Sequence, residues 1–376
     1  MNPTFPSYSP TISSILILIT IYILYKLIQT ALLYKQRRAF AKQNNCLPCA
    51  SYPHKDPFYG LDLFFANALA ARDGKFVELT QKRYQSLGVH TYSSIFLGES
   101  TINTVSVENI RTVLATGFKD FELPSRRKDA MIPIFGKGIF VSDGKDWEHS
   151  RAMLRPNFVR SQVADLGTFE KHIGKLIGRI PKNGETVDLS KLFFMLTIDS
   201  ATDFLFGEST DTLDETKIDS AGHRYSEAFD YCGEQAGKEI RLGKIFTLIP
   251  NKRYRDALSY VHSYVRTYVD KALALQASDP SSQKPQAANS DRYIFLEELA
   301  KAGYSAQKIQ AELLNILLAG RDTTATLLTV LFMILSRRKD VMERLRKEVM
   351  GLEGRCPNFE EIKDMKYLRW CINEKN

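Results

Sequence analysis

Apolar residues run almost without a break from Thr11 to Tyr25 and then, past Lys26 and Gln29, on to Tyr34. The first stretch would span only about 22 Å as a helix, but continuation to Tyr34 gives about 36 Å, enough to cross a ~30 Å hydrocarbon core with Lys26 snorkelling. Residues 43–60 break the pattern with Pro48, Pro53, Pro57 and Gly60 and read as a stiff linker. A helix is expected over Lys75 to Leu87. Thr91 to Leu97 and Thr101 to Val107, on either side of Gly98-Glu99-Ser100, predict a hairpin. Beyond it the period is helical over Lys145 to Phe158, Gln162 to Ile177, Leu189 to Leu205, Ser226 to Lys238, Tyr254 to Gln276, Ser305 to Ser336 and Asp340 to Met350. Residues 277–291, rich in Ser, Pro, Gln and Asp, read as a surface connection. The expected fold is mainly α with a small β-sheet: an anchor over 1–34, a basic, Pro-containing linker over 35–60 and a body over 61–376, without internal repeats.

One predicted helix is interrupted. The apolar run from Leu313 to Leu335 contains Ala319-Gly320-Arg321-Asp322-Thr323-Thr324. At 100° per residue, Arg321 to Thr324 sweep most of the circumference and cannot share one solvent face. Glycine there costs about 1 kcal/mol relative to alanine, and a threonine hydroxyl can bond back to the carbonyl four residues earlier. A polar interruption of this kind points to a buried site.

Composition narrows the class. With 376 residues, 44% hydrophobic and 25% charged, the chain has ample material for a core. The first ten residues hold no Lys or Arg, whereas Lys35, Arg37, Arg38 and Lys42 follow the apolar segment, which favours an uncleaved anchor with the body in the cytosol over a removed signal. Tyr22, Tyr25 and Tyr34 suit the membrane interfaces. The net charge of +8 fits a membrane surface or an acidic partner, but no dense Lys/Arg block with interleaved aromatics indicates nucleic acid. Cys46, Cys49, Cys232, Cys356 and Cys371 are too scattered for a disulfide framework. Cys46-Leu47-Pro48-Cys49 has redox-motif spacing without the strand-to-helix context that chemistry needs.

Trp147 and Arg151 lie four apart on a predicted helix, so an indole donor and a guanidinium fork share one face, a pair able to hold carboxylates. A basic face on an amphipathic helix, with Arg155 and Arg160, explains the same residues. Three segments together carry a resemblance: Trp147-Glu148-His149-Ser150-Arg151-Ala152-Met153-Leu154-Arg155-Pro156, the run at 319–324, and Met365-Lys366-Tyr367-Leu368-Arg369-Trp370-Cys371-Ile372-Asn373-Glu374. In this order and spacing the chain resembles the cytochrome P-450 family of haem-thiolate monooxygenases. Tyr52-Pro53-His54-Lys55-Asp56-Pro57-Phe58, with the anchor, is similar to the fungal branch that hydroxylates n-alkanes and fatty acids.

The resemblance implies haem as cofactor, with Trp147 and Arg151 on its propionates, Ala319 and Gly320 beside it, and Gly320 leaving room for dioxygen. It implies that Asp322 and Thr323 are the acid and alcohol that deliver protons through water. It further implies a lipophilic substrate, electrons from a membrane-bound NADPH-dependent reductase, and a single-pass protein of the endoplasmic reticulum membrane. Substrate contacts are expected at Ile134, Phe135, Ile139, Phe140, Leu317 and Leu327, although ordinary core packing accounts equally for apolar residues there. The family pattern continues from Glu374 to an Arg three residues on and then to a Phe-x-x-Gly-x-Arg-x-Cys-x-Gly loop, while this sequence stops at Asn376. Neither Cys356, with Val349, Leu352 and Gly354 at the loop's other positions, nor Cys371, inside a predicted helix, fits the axial ligand. The expectation is therefore an incomplete copy of a monooxygenase that by itself neither holds haem stably nor hydroxylates. The alternatives are a monooxygenase of a polyketide or terpene pathway and a non-catalytic membrane-anchored remnant.

Overall fold

In the computed structural model, which describes residues 10–158, 166–243, 250–278 and 294–373, helix α1 (Pro10–Gln43) carries the apolar run and the basic residues after it without a break. Its apolar side chains face outward, and the stretch Ile17–Gln43 is long and apolar enough to cross a membrane. The contacts divide the chain into two compact units, 1–121 and 122–376. Glu374 and most of the 277–291 segment lie outside the described residues.

The first unit holds a three-stranded sheet of β1 (Ala50–Ser51), β2 (Thr91–Phe96) and β3 (Glu99–Thr104), with helices α2 (Leu61–Arg72), α3 (Phe76–Leu87) and α4 (Val107–Arg111). The hairpin is present, but Phe96 pairs with Glu99, so the turn is Leu97-Gly98. Both turn residues have positive φ, 50° and 81°, which matches a two-residue loop to the twist of its strands. Residues 50–60, read from the sequence as linker, are built into this unit. β1 pairs parallel with β2 at Ala50↔Tyr92. The Ile95 amide donates to His54 Nε2 at 2.8 Å, which leaves the ring proton on Nδ1 to bond Asp62 at 3.0 Å. Burial raises the Asp62 carboxyl, but the bonds from His54 and the Lys55 amide outweigh it and hold it down to about 2. Gly60, with φ 65°, has no alternative, since a Cβ there would lie 1.9 Å from the Ile95 carbonyl oxygen.

The second unit is helical: α5 (Ser125–Phe135), α6 (Gly144–Leu154), α7 (Leu166–Gly178), α8 (Leu189–Phe206), α9 (Ala221–Leu242), α10 (Lys252–Ser278), α11 (Phe295–Lys301), α12 (Ala306–Arg337), α13 (Lys339–Met350), α14 (Phe359–Asp364) and α15 (Lys366–Asn373). Side-chain N-caps set several starts: Asp188, Ser220 and Ser305 accept from the amides of Lys191, His223 and Lys308. The helix expected through Phe158 ends as α at Leu154 and tightens to a 3₁₀ turn over Arg155–Phe158, because Pro156 has no amide to continue the ladder.

α12 is the axis of this unit. Ile309, Ala311, Glu312, Leu313, Leu314, Asn315 and Leu317 are all buried, the pattern of a helix enclosed on every side, and α5, α9, α10 and α11 supply apolar neighbours. Two buried polar groups sit within that stretch. Asn315 donates to the carbonyls of Phe135 and Ala311 (2.9 and 2.7 Å) and accepts from the Phe140 amide (3.0 Å). The Glu312 carboxylate accepts from the Ile139 amide (3.1 Å) and pairs with Lys308 (2.8 Å), which also reaches the Lys137 carbonyl and Ser150 of α6. The segment 135–140 is therefore laid along α12 by its backbone. Gly138 is needed for this approach, because a Cβ would lie 2.1 Å from Asn315 Nδ2.

α8 packs against α12 and carries a second buried acid. Asp199 accepts from the hydroxyl and amide of Thr212, the Thr210 hydroxyl and the Leu213 amide, at 2.7–3.0 Å. His172 of α7 bonds Asp203 of α8 at 2.8 Å, both fully or nearly fully buried. Close by, Lys175 and Lys217 each lie 2.7 Å from Asp211.

Two outcomes follow for unfolding experiments. Burial raises the Asp211 carboxyl, but the two lysines prevail and hold it down to about 2, against an ordinary value of 3.8. A lowered folded pKa stabilises above the unfolded value, so this contribution is complete above about pH 4 and is lost as pH falls toward 2. Asp211→Asn flattens the stability profile of the detergent-solubilised protein across that window. Asn315→Leu strips partners from the buried Phe140 amide and Phe135 carbonyl and lowers the urea unfolding free energy by about 3 kcal/mol, with the 135–140 amides exchanging faster.

Candidate functional site

The environment of α12 changes at the polar interruption. Beyond Leu317 only Arg321, Ala325 and Leu335 remain buried, and Gly320, Thr323, Thr324 and Thr326 are exposed. One side still packs on α8: Ala325 joins Leu192 and Phe193, and the Thr329 hydroxyl lies 3.4 Å from that of Ser190. Gly320, Thr323 and Leu327 fall at i, i+3 and i+7, a separate stripe of the helix, with Leu327 half-buried. A Cβ at Gly320 would meet only Ala201 Cβ, at 3.9 Å.

The four polar residues separate as the sequence requires, but only one goes inside. Arg321 is 4% exposed. Its Nη2 pairs with Asp230 of α9, its Nη1 lies 3.0 Å from the Asp322 carboxylate, and its guanidinium sits 5.0 Å from the Phe194 ring and 5.8 Å from that of Phe229. Asp322 is half-buried at the edge of this cluster. The Thr323 hydroxyl donates to the Ala319 carbonyl at 2.6 Å, the back-bond expected for a threonine inside a helix. Its hydrogen is committed there, so the outward lone pairs of Oγ1 are left to accept.

On α6, Trp147 and Arg151 do share a face, with the guanidinium 5.5 Å from the indole centroid. Ser150, Met153 and Leu154 are the buried residues of α6, two of them the i+3 and i+7 neighbours of Trp147, and the Lys308 amine meets Ser150 at 2.7 Å. Lys308 and Thr323 are fifteen positions apart on α12, about 22 Å along the axis, so Arg151 with Trp147 and Gly320 with Thr323 stand at different levels of that helix.

Of the expected substrate contacts, Ile134, Phe135 and Leu317 are 0–2% exposed and belong to the main apolar core, and Phe135 packs edge-on to Phe229 at 6.1 Å. Ile139 and Phe140 are partly buried against that core, with their amides held by Glu312 and Asn315. Sequence reasoning missed Glu312, Asn315, Lys308 and Asp230. Its apolar run began at Leu313, one residue after the acid; an acid and an amide three apart inside Ile309–Leu318 were the available signal.

The cysteines differ in chemistry. Burial pushes the Cys232 thiol up to about 11, and the Cys356 thiol, which donates to Glu170 at 2.9 Å, is also raised. A thiolate ligand requires the opposite shift.

The residues fit a flat, dianionic macrocycle in two respects. The exposed Arg151 guanidinium, beside the Trp147 ring, suits a carboxylate, and the exposed Gly320 presents no side chain on α12, with only Ala201 Cβ within 4 Å of where a Cβ would stand. Comparison with known proteins points the same way. The family model described as Cytochrome P450 matches residues 57–375. The chain is 43% identical to cytochrome P450 monooxygenase himC of Aspergillus japonicus over 91% of this chain and 62% of that protein. It is 36% identical to cytochrome P450 52A12 of Debaryomyces hansenii over 87% of this chain and 65% of that one, and 36% identical to cytochrome P450 52A5 of Candida maltosa over 85% and 63%. The chain thus spans somewhat less than two thirds of the length of these relatives. In fold it is similar to the haem domain of cytochrome P450DA, with TM-score 0.65 at 16% identity, covering 87% of this chain and 69% of that one. A family match over residues 57–375, most of the chain, places it in the cytochrome P450 family.

Proposed function

We propose that this protein is a membrane-anchored monooxygenase that hydroxylates an n-alkane or fatty acid, with the apolar segment Ile139-Phe140 facing the substrate chain. The observation that carries the reading is the exposed Gly320–Thr323 stripe together with the next-door acid Asp322, held on Arg321 and 45% exposed. The family uses haem iron, and the bound haem supplies the chemistry that inserts one atom of dioxygen into a C–H bond and reduces the other to water.

The chain's own residues do the rest. Arg151 and Trp147 hold the propionates. The Asp322 carboxylate keeps one side on Arg321 and exchanges protons with water on the other, since its side chain is 45% exposed. Thr323 Oγ1, its hydrogen tied to the Ala319 carbonyl, accepts from a water and fixes it over the bare surface at Gly320. Electrons come from an NADPH-dependent reductase, and α1 keeps the protein in the endoplasmic reticulum membrane with its body in the cytosol, where reductase and lipophilic substrate meet.

The same partly buried apolar residues, Ile139 and Phe140, would equally face a polyketide or terpene intermediate, which is the second reading. Turnover of n-alkanes and fatty acids against polyketide and terpene panels, with NADPH and a fungal reductase, decides between them. No oxygenated product from either panel, in a preparation with thiolate-ligated haem, would falsify both.

Two substitutions probe the assigned roles. Haemin titration quenches Trp147 fluorescence, and Arg151→Leu weakens that binding about tenfold, as expected for loss of one charge-assisted bond. In a preparation with thiolate-ligated haem, Asp322→Asn lowers turnover about 100-fold while the carbon-monoxide difference spectrum keeps its shape. Unchanged haemin affinity removes the propionate role from Arg151, and unchanged turnover removes the relay from Asp322.

A further inference from the structure

Arg321 has no task in the chemistry above, yet of the four polar residues Arg321–Thr324 it alone is buried. A buried guanidinium persists only when its charge is paired and its donors are largely satisfied. Here the pairing is divided. Nη2 goes to Asp230 of α9, Nη1 goes to Asp322 on the next residue of α12, and Nε is buried without an acceptor. The rings of Phe194 from α8 and Phe229 from α9 lie 5.0 and 5.8 Å away. One positive charge thus serves two carboxylates on different helices.

That sharing constrains Asp322. An arginine fork offered a single carboxylate tends to close on it with two parallel bonds. Asp230 occupies one arm of the fork, so Asp322 is left with a bond from the other arm alone. Its second oxygen stays available to water, since the side chain is 45% exposed. If Asp230 lost its charge, the fork would be free to swing onto Asp322 and withdraw both oxygens.

We propose that Arg321 and Asp230 are positioning residues for Asp322: Asp230, by holding one arm of the Arg321 guanidinium, keeps the Asp322 carboxylate half-released to water. The consequence for turnover rests on the proton-relay reading of Asp322; the coupling among the three side chains does not. A purely structural role, Arg321 as a pin between α8, α9 and α12, is the competing account. It makes no claim on the state of Asp322.

The test uses the full chain in phosphatidylcholine nanodiscs with aspartate labelled by ¹³C at the side-chain carboxyl. The Asp322 resonance is assigned by its loss in Asp322→Asn. Asp230→Asn, an isosteric change at a side chain that is 52% exposed, shifts that resonance at fixed pH. Arg321→Met shifts it in the opposite sense, and Arg321→Lys, which restores the charge, brings it back toward the native position. An Asp322 resonance that stays put in Asp230→Asn, with native unfolding midpoint and α9 amide protection, overturns the proposal and leaves Arg321 a pin. Should Arg321→Met unfold, the Asp230→Asn and Arg321→Lys pair still decides. In the haem-loaded protein, Asp230→Asn sends a larger share of NADPH electrons to hydrogen peroxide. A shifted resonance without that diversion refutes the relay role of Asp322 and leaves its coupling to Asp230 standing.

Discussion

Buried polar groups on an apolar helix have to find partners, and on α12 that requirement organises the second unit. Glu312 and Asn315 are completely buried, and water cannot serve them. Their partners come from the Ile139 and Phe140 amides, the Phe135 carbonyl and Lys308. Satisfying two side chains therefore fixes the path of the chain between α5 and α6. It also fixes α6 itself, because the lysine that neutralises Glu312 bonds Ser150. Removal of either polar side chain would leave unpaired backbone in a dry interior, which costs more than the bonds contribute.

Further along the same helix the requirement is met differently. Arg321 is neutralised by two acids and flanked by aromatic rings, while Thr323 satisfies itself on its own backbone. The first half of α12 is thus a core helix that holds a neighbouring segment in place. The second half is one-sided, packed on α8 and open at Gly320 and Thr323. A positioned segment and an open polar stripe on one rigid element are what a site for chemistry needs.

The helices were largely legible because burial on one face leaves a 3.6-residue period, and α3, α8, α10, α12 and α13 appear close to where the pattern places them. α2, α5 and α11 escaped. α2 is apolar on several sides and shows little periodicity, α5 carries Pro133 in its last turn, and α11 is only seven residues long. The hairpin turn was misplaced because Leu97 adopts a positive φ that side chains of its kind rarely take, so the glycine appeared to start the turn and in fact ends it. At the site, the Trp147-Arg151 face and the inward turn at the polar run were readable from spacing alone. The Asp230–Arg321 pair was not, since ninety-one residues separate partners that only tertiary packing brings together. The linker reading failed for a related reason: prolines mark where helices stop, but not that His54 and Gly60 dock under a strand.

The bonds that hold Ile139 and Phe140 to α12 use only their backbone amides. The two side chains carry none of the hydrogen bonding that fixes the segment. A lineage could therefore exchange residues at 139 and 140, and with them the shape presented beside α12, while Gly138, Glu312 and Asn315 stayed as they are. Divergence in what the protein accepts is thereby separated from the risk of losing its fold.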